Sequence, residues 1–167
     1  MTPFPPALVA DAGRLISRCR AHSLKLLTVE SCTGGLCAGL ITSVAGASDI
    51  FEGSFVTYSN PAKTSVVAVP DDMLRKLGAV SEDVARAMAE GGLDSSRADI
   101  AVSVTGIAGP GGGTALKPIG LVHMACARRG KPTLHLAKKY GDRGRDNVRL
   151  LAVGDMLKLV LAQADAP

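Results

Sequence analysis

The chain has 167 residues, is 47% hydrophobic and 20% charged, and carries a formal net charge of +4. That balance excludes a disordered chain and supplies enough length for one buried core. With three Phe, two Tyr and no Trp, the core must be Ala, Val, Leu and Ile. Aromatic platforms for stacking single-stranded bases are lacking, and the cations, dispersed apart from 128–131 and the run 138–149, are modest for a nucleic-acid binder and suit a small anionic ligand at least as well.

Ala7 to Ala21 places Leu8, Val9, Ala12, Leu15, Ile16 and Cys19 at helical spacing, with prolines 5 and 6 marking the start. Leu24 to Val29 reads as a short buried strand, and Gly34 to Val44 as a second helix ending near Gly46. Phe51 to Tyr58 alternates as a strand. Ser59-Asn60-Pro61 then opens a short helix over 62–68, with Asn60 as cap and Pro61 at the first helical position. A further short helix spans Asp71 to Leu77. Ser81 caps a longer one that reaches about Leu93. Ala98 to Val104 is a buried strand and Thr105 to Gly113 a loop. Ile119 to Ala127 and Thr133 to Lys139 form a hairpin around the basic turn 128–132, and Arg145 to Leu161 is the last helix. This order predicts one domain over 1–167, a three-layer α/β/α sandwich on a mixed, mostly parallel sheet.

No apolar run approaches membrane-spanning length, and the N-terminus lacks the apolar region of a signal peptide. Cys19, Cys32, Cys37 and Cys126 have no paired C-x-x-C spacing and read as reduced thiols of a cytoplasmic protein. His22, His123 and His135 stand alone in sequence. A structural role is expected for each, with neither a metal site nor a Ser-His-Asp triad.

Three stretches carry chemistry. T-V-E-S-C-T-G-G, residues 28–35, runs from a strand through Ser31 and two glycines into a helix. Helix N-terminal N–H groups lack intrahelical partners and favour negative charge, so Ser31 there suits a nucleophile beside an oxyanion site. The same residues equally suit an ordinary N-cap. Residues 105–113, T-G-I-A-G-P-G-G-G, follow a strand and suit either an anion nest or a plain surface loop. Neither nucleotide-binding glycine spacing is present. Lys63, one turn into its helix, reads as a surface cation or, if buried beside Ser31, as a neutral general base. Ser31 and the 58–63 segment both lie at expected strand C-terminal ends, where open α/β sheets bind ligands.

E-S-C-T-G-G (30–35), V-T-Y-S-N-x-x-K (56–63), G-A-V-S-E (78–82) and T-G-I-A-G-P-G-G-G-T-x-x-K-P-x-G (105–120) occur in this order. In order and spacing they resemble the CinA C-terminal domain family, over about Leu8 to Leu161. Enzymatic members of that family are nicotinamide mononucleotide deamidases. The resemblance implies a stand-alone α/β/α domain, usually a homodimer, and a Ser/Lys hydrolase that needs no metal or other cofactor. Its partner is a small-molecule nucleotide, not a nucleic acid or a membrane. Ser31 matches the nucleophile and Lys63 its base, with Tyr58 and Thr105 as polar partners. Thr33, Gly34, Gly35, Asn60, Gly106, Gly109, Gly111, Gly112 and Arg145 are the expected substrate-binding positions, with N–H groups near Thr33 to Gly35 holding the oxyanion. Counting from Val148-Arg149 gives Arg145 as the phosphate ligand, and counting from G-D-R gives Arg143; Arg145 is preferred because the helix fixes its spacing. The alternative reading is a family module that binds a nucleotide or a partner without catalysis.

Overall fold

The computed structural model describes residues 2–166. The elements follow in the order α1 (Pro6–Ala21), β1 (Leu26–Glu30), α2 (Leu36–Thr42), a single 3-10 turn (Ala47–Asp49), β2 (Phe51–Val56), α3 (Asn60–Val67), α4 (Asp71–Leu77), α5 (Glu82–Asp94), β3 (Ile100–Gly106), β4 (Leu121–Arg128), β5 (Lys131–Lys139) and α6 (Arg145–Ala164). The five strands form one sheet in the order β2-β1-β3-β4-β5. β1 pairs in parallel with β2 and β3, while β3–β4 and β4–β5 are antiparallel. The mixed sheet is as expected, with a smaller parallel share. The long loop after β3 contains no helix, so the chain returns antiparallel before the hairpin.

The strands alternate their side chains between two apolar layers. On one face α1, α2 and α6 bring Leu15, Leu40, Ile41 and Met156 to Leu26, Val102 and Met124. On the other, α3, α4 and α5 bring Val67, Leu74, Met88 and Leu93 to Leu27, Val29, Ala101 and Ala125. α5 comes unusually close, because it carries glycine where it crosses its neighbours. A Cβ on Gly91 would lie 1.8 Å from the Val67 carbonyl oxygen, and one on Gly92 would lie 2.4 Å from Val29 Cγ2.

Two local expectations are corrected. Ser59, not Asn60, caps α3: its Oγ accepts from Ala62 N at 3.2 Å, and Asn60 is the first helical residue. A cap residue is extended and its oxygen accepts from the second or third helical N–H; Ser59 is extended and reaches Ala62, the third, whereas Asn60 is already helical. The histidines do not stand alone either. The hairpin register brings His123 Nδ1 to 3.1 Å from His135 Nε2, and His135 Nδ1 lies 3.4 Å from Glu82 Oε2. His22 Nε2 lies 3.6 Å from Asp165 Oδ1. Among the described residues no helix is long and apolar enough to cross a membrane.

Candidate active site

Three parallel strands end side by side. Ser31 follows β1, and its N–H donates to Val104 O of β3 at 3.1 Å. Thr57 follows β2, and its N–H donates to Glu30 O at 2.8 Å. Thr105 is the sixth residue of β3. The C-terminal edge of a parallel sheet is where the chain leaves in loops, and here it gathers the Ser31 turn, the Thr57–Tyr58 corner and Thr105.

Lys63 is brought to this edge by helix geometry. It lies one turn into α3, and helical side chains lean toward the helix N-terminus. Its ammonium position is therefore set against the corner that precedes the helix. Lys63 Nζ lies 2.9 Å from Ser31 Oγ, 2.8 Å from Thr57 O and 3.1 Å from Tyr58 O. The side chain is 1% exposed. Burial disfavours the charged form and lowers its pKa from the ordinary 10.5 to about 8. Cys32, beside Ser31, is shifted the other way: burial pushes its thiol up to about 11, which keeps it protonated and a poor nucleophile at neutral pH.

The N-terminus of α2 is capped by an internal carboxylate. Glu30 is fully buried. Its Oε2 accepts from Gly35 N at 3.0 Å, Cys37 N at 3.1 Å and Thr33 Oγ1 at 2.6 Å, and its Oε1 from Ala38 N at 2.9 Å. Thr28 Oγ1 lies 3.2 Å from Oε1. Ser31 is thereby released from capping, and its hydroxyl meets Lys63 instead. The turn itself needs glycine: Gly34 and Gly35 have φ of +61° and +94°.

A pocket of about 210 Å³ opens over the dyad, lined by residues that include Ser31, Tyr58, Lys63, Thr105, Gly106 and Arg145. Tyr58 is 58% exposed. Arg145, at the start of α6, spans the mouth, donating from Nη1 to Gly109 O at 2.9 Å and from Nη2 to Tyr58 Oη at 3.1 Å.

A family model of the CinA C-terminal domain matches residues 10–164. The chain belongs to the CinA C-terminal domain family. It is 58% identical over 128 residues to a CinA-like protein of Akkermansia muciniphila, covering 77% of this chain and 31% of that protein. It is 44% identical over 153 residues to a CinA-like protein of a Synechococcus species, covering 91% and 36%. The chain thus spans about a third of the length of these curated relatives. Among solved structures, the competence/damage inducible protein CihA from Agrobacterium tumefaciens superposes with a TM-score of 0.95 at 46% identity, over 97% of this chain and 98% of that one. A CinA superfamily protein from Escherichia coli gives 0.89 at 30% identity, over 96% and 93%.

The fold of this family brings some of the expected site residues together and leaves others apart. Ser31, Lys63, Tyr58, Thr105, Gly106 and Arg145 share the pocket. Tyr58 meets Lys63 through its carbonyl, while its hydroxyl serves Arg145. Thr105 Oγ1 donates to Ala79 O at 2.9 Å. Gly109 touches the site through its carbonyl, on Arg145. Asn60, Gly111 and Gly112 are exposed, and neither they nor Thr33, Gly34 and Gly35 line the pocket. Arg143 is exposed, binds Tyr140 O at 3.0 Å, and lines a separate groove with α1. Of the expected oxyanion donors, Gly34 N already serves Ser31 O at 3.0 Å and Gly35 N serves Glu30. Sequence reasoning missed Glu30 as cap, and it missed Arg149. The Arg149 guanidinium donates from Nε to Cys32 O at 3.2 Å and from Nη2 to Thr33 O at 2.9 Å.

Proposed function

We propose that the chain is a nicotinamide-nucleotide amidohydrolase, converting nicotinamide mononucleotide and water to nicotinic acid mononucleotide and ammonia through an acyl-enzyme on Ser31. The observation that carries this reading is the environment of the Lys63 amine. A neutral amine has two N–H groups and one lone pair. Thr57 O and Tyr58 O accept the two N–H groups, and Ser31 Oγ, at 2.9 Å, stands at the third position. That set suits removal of the Ser31 proton, and the lowered pKa keeps a working fraction of the lysine neutral.

Lys63 takes the Ser31 proton as Oγ bonds to the amide carbon. Collapse of the adduct breaks the C–N bond, and the lysine proton leaves with ammonia. Water then adds to the ester carbon and gives a proton to Lys63. The Oγ–C bond breaks, and that proton returns to Ser31. Within the turn the Gly34 and Gly35 N–H groups are taken, which leaves Cys32 N–H, on the pocket wall beside Ser31, and the buried Thr33 N–H as donors for the oxyanion.

The pocket, at about 210 Å³, is smaller than the roughly 300–1,000 Å³ of complete ligand sites. It suits the carboxamide and ring, with the ribose phosphate crossing the mouth. Arg145 has five N–H donors and commits two nitrogens to neutral acceptors there, so it can turn remaining donors to the phosphate.

The test is incubation of the purified chain with nicotinamide mononucleotide. The reading predicts equal amounts of ammonia and nicotinic acid mononucleotide. A folded protein that binds the nucleotide and releases no ammonia would refute catalysis and favour a binding module.

A further inference from the structure

A carboxylate lies fully buried one residue before the nucleophile. Burying Glu30 is costly unless every lone pair is used, and a short Ser or Asp would cap α2 at less expense. What the longer side chain adds is a tie between three segments. The Glu30 backbone is fixed in the sheet between Val56 and Val104. Its carboxylate holds Thr33 and Gly35 in the turn, and Cys37 and Ala38 in α2. Ser31 sits inside that closed ring of contacts. From the opposite side, Arg149 of α6 holds the carbonyls of Cys32 and Thr33. The turn is therefore gripped by its N–H groups from one side and by its carbonyls from the other.

We propose that Glu30 is the positioning residue of the site: its carboxylate stiffens the 31–35 turn so that Ser31 Oγ stays on the Lys63 amine. This rests on the Ser/Lys reading above. It also assigns the α2 N-terminus to an internal anion, so a substrate phosphate is held at the Arg145 side of the pocket and not at the helix.

Glu30→Gln keeps the length but turns one acceptor oxygen into an NH2 donor. Whichever way the amide faces, it meets Ala38 N–H or the Gly35 and Cys37 N–H groups. The readout is the rate at which a fluorophosphonate labels Ser31, which measures the serine without any assumption about the natural substrate. Displacing a reacting atom by an ångström costs about 10²-fold, so Glu30→Gln is expected to label about 10²-fold more slowly than wild type while remaining folded by circular dichroism. The pH midpoint of labelling should stay where Lys63 sets it. Thr33→Val, which removes one donor to Glu30, should label about tenfold more slowly. Gln163→Ala supplies a stability control: this buried side chain bonds Cys126 O and Pro132 O away from the pocket. It should lose stability and label at the wild-type rate.

Folded Glu30→Gln labelling within about threefold of wild type would overturn the proposal, as would a moved pH midpoint or an equal loss in Gln163→Ala. If Glu30→Gln does not fold, Thr33→Val decides, and unchanged labelling there overturns the proposal. A wild type that does not label removes the Ser/Lys reading and this inference with it. A labelled wild type with an equally labelled Glu30→Gln removes this inference alone.

Discussion

The sharpest consequence of the site is a pH profile governed by one buried lysine. Burial lowers Lys63 from 10.5 to about 8, which corresponds to about 3 kcal/mol at 1.36 kcal/mol per decade. With that value about a tenth of the lysine is neutral at pH 7 and about half at pH 8, against less than about one part in 10³ for an ordinary lysine at pH 7. The base must be neutral to act, so kcat/KM should rise about tenfold per pH unit below 8 and level off above it. The assay is ammonia release from nicotinamide mononucleotide between pH 6 and 9.5, in buffers of constant ionic strength. Lys63→Arg keeps the positive charge and the donors but does not deprotonate in this range, so it should be inactive at every pH. A profile still climbing tenfold per unit at pH 9.5, a flat profile, or an active Lys63→Arg would refute the reasoning. The same shift links to stability. Between pH 8 and 10.5 the unfolded chain binds the Lys63 proton and the folded chain does not. Wild type should therefore gain stability over Lys63→Met as pH rises through that window, by about 3 kcal/mol in total, with no gain from this group below pH 8.

Two further outcomes follow from packing and charge. Arg145→Ala should raise KM for the nucleotide by about 10–100-fold, since charge-assisted contacts contribute about 1.5–3 kcal/mol, whereas Arg143→Ala, outside the pocket, should leave KM unchanged in steady-state kinetics. Gly91→Ala places a Cβ 1.8 Å from Val67 O, which forces α3 off α5. Urea unfolding should show a loss of about 1–3 kcal/mol in spite of the better helix propensity of alanine, and ammonia release should fall because α3 carries Lys63.

The layers and the position of the dyad were legible because each rests on a local pattern. An apolar run followed by a glycine turn places Ser31 after β1, and a Ser-Asn-Pro corner places Lys63 one turn into α3. Parallel strands then deliver both to one edge. Glu30 was not legible in its role, because at the end of L-L-T-V-E it reads as the polar close of a strand. The available signal was that α2 starts after Gly34-Gly35 with no capping side chain of its own, so its N–H groups had to be met from elsewhere. Arg149 hid at the end of the run of cations over 138–149, which begins on β5 and reaches α6, and only the tertiary fold brings it to the carbonyls of residues 32 and 33. The His123–His135 contact depends on hairpin register, which the basic turn alone does not fix. The choice between Arg143 and Arg145 turned on where α6 begins, and at Arg145 the helix start points across the pocket mouth.

The central claim is that Ser31 attacks and Lys63 prepares it. The measurement that tests it most directly is ammonia release from nicotinamide mononucleotide by wild type beside Ser31→Ala and Lys63→Ala, each shown to be folded. The account predicts release by the wild type and loss in both variants. Undiminished release by Ser31→Ala would contradict it.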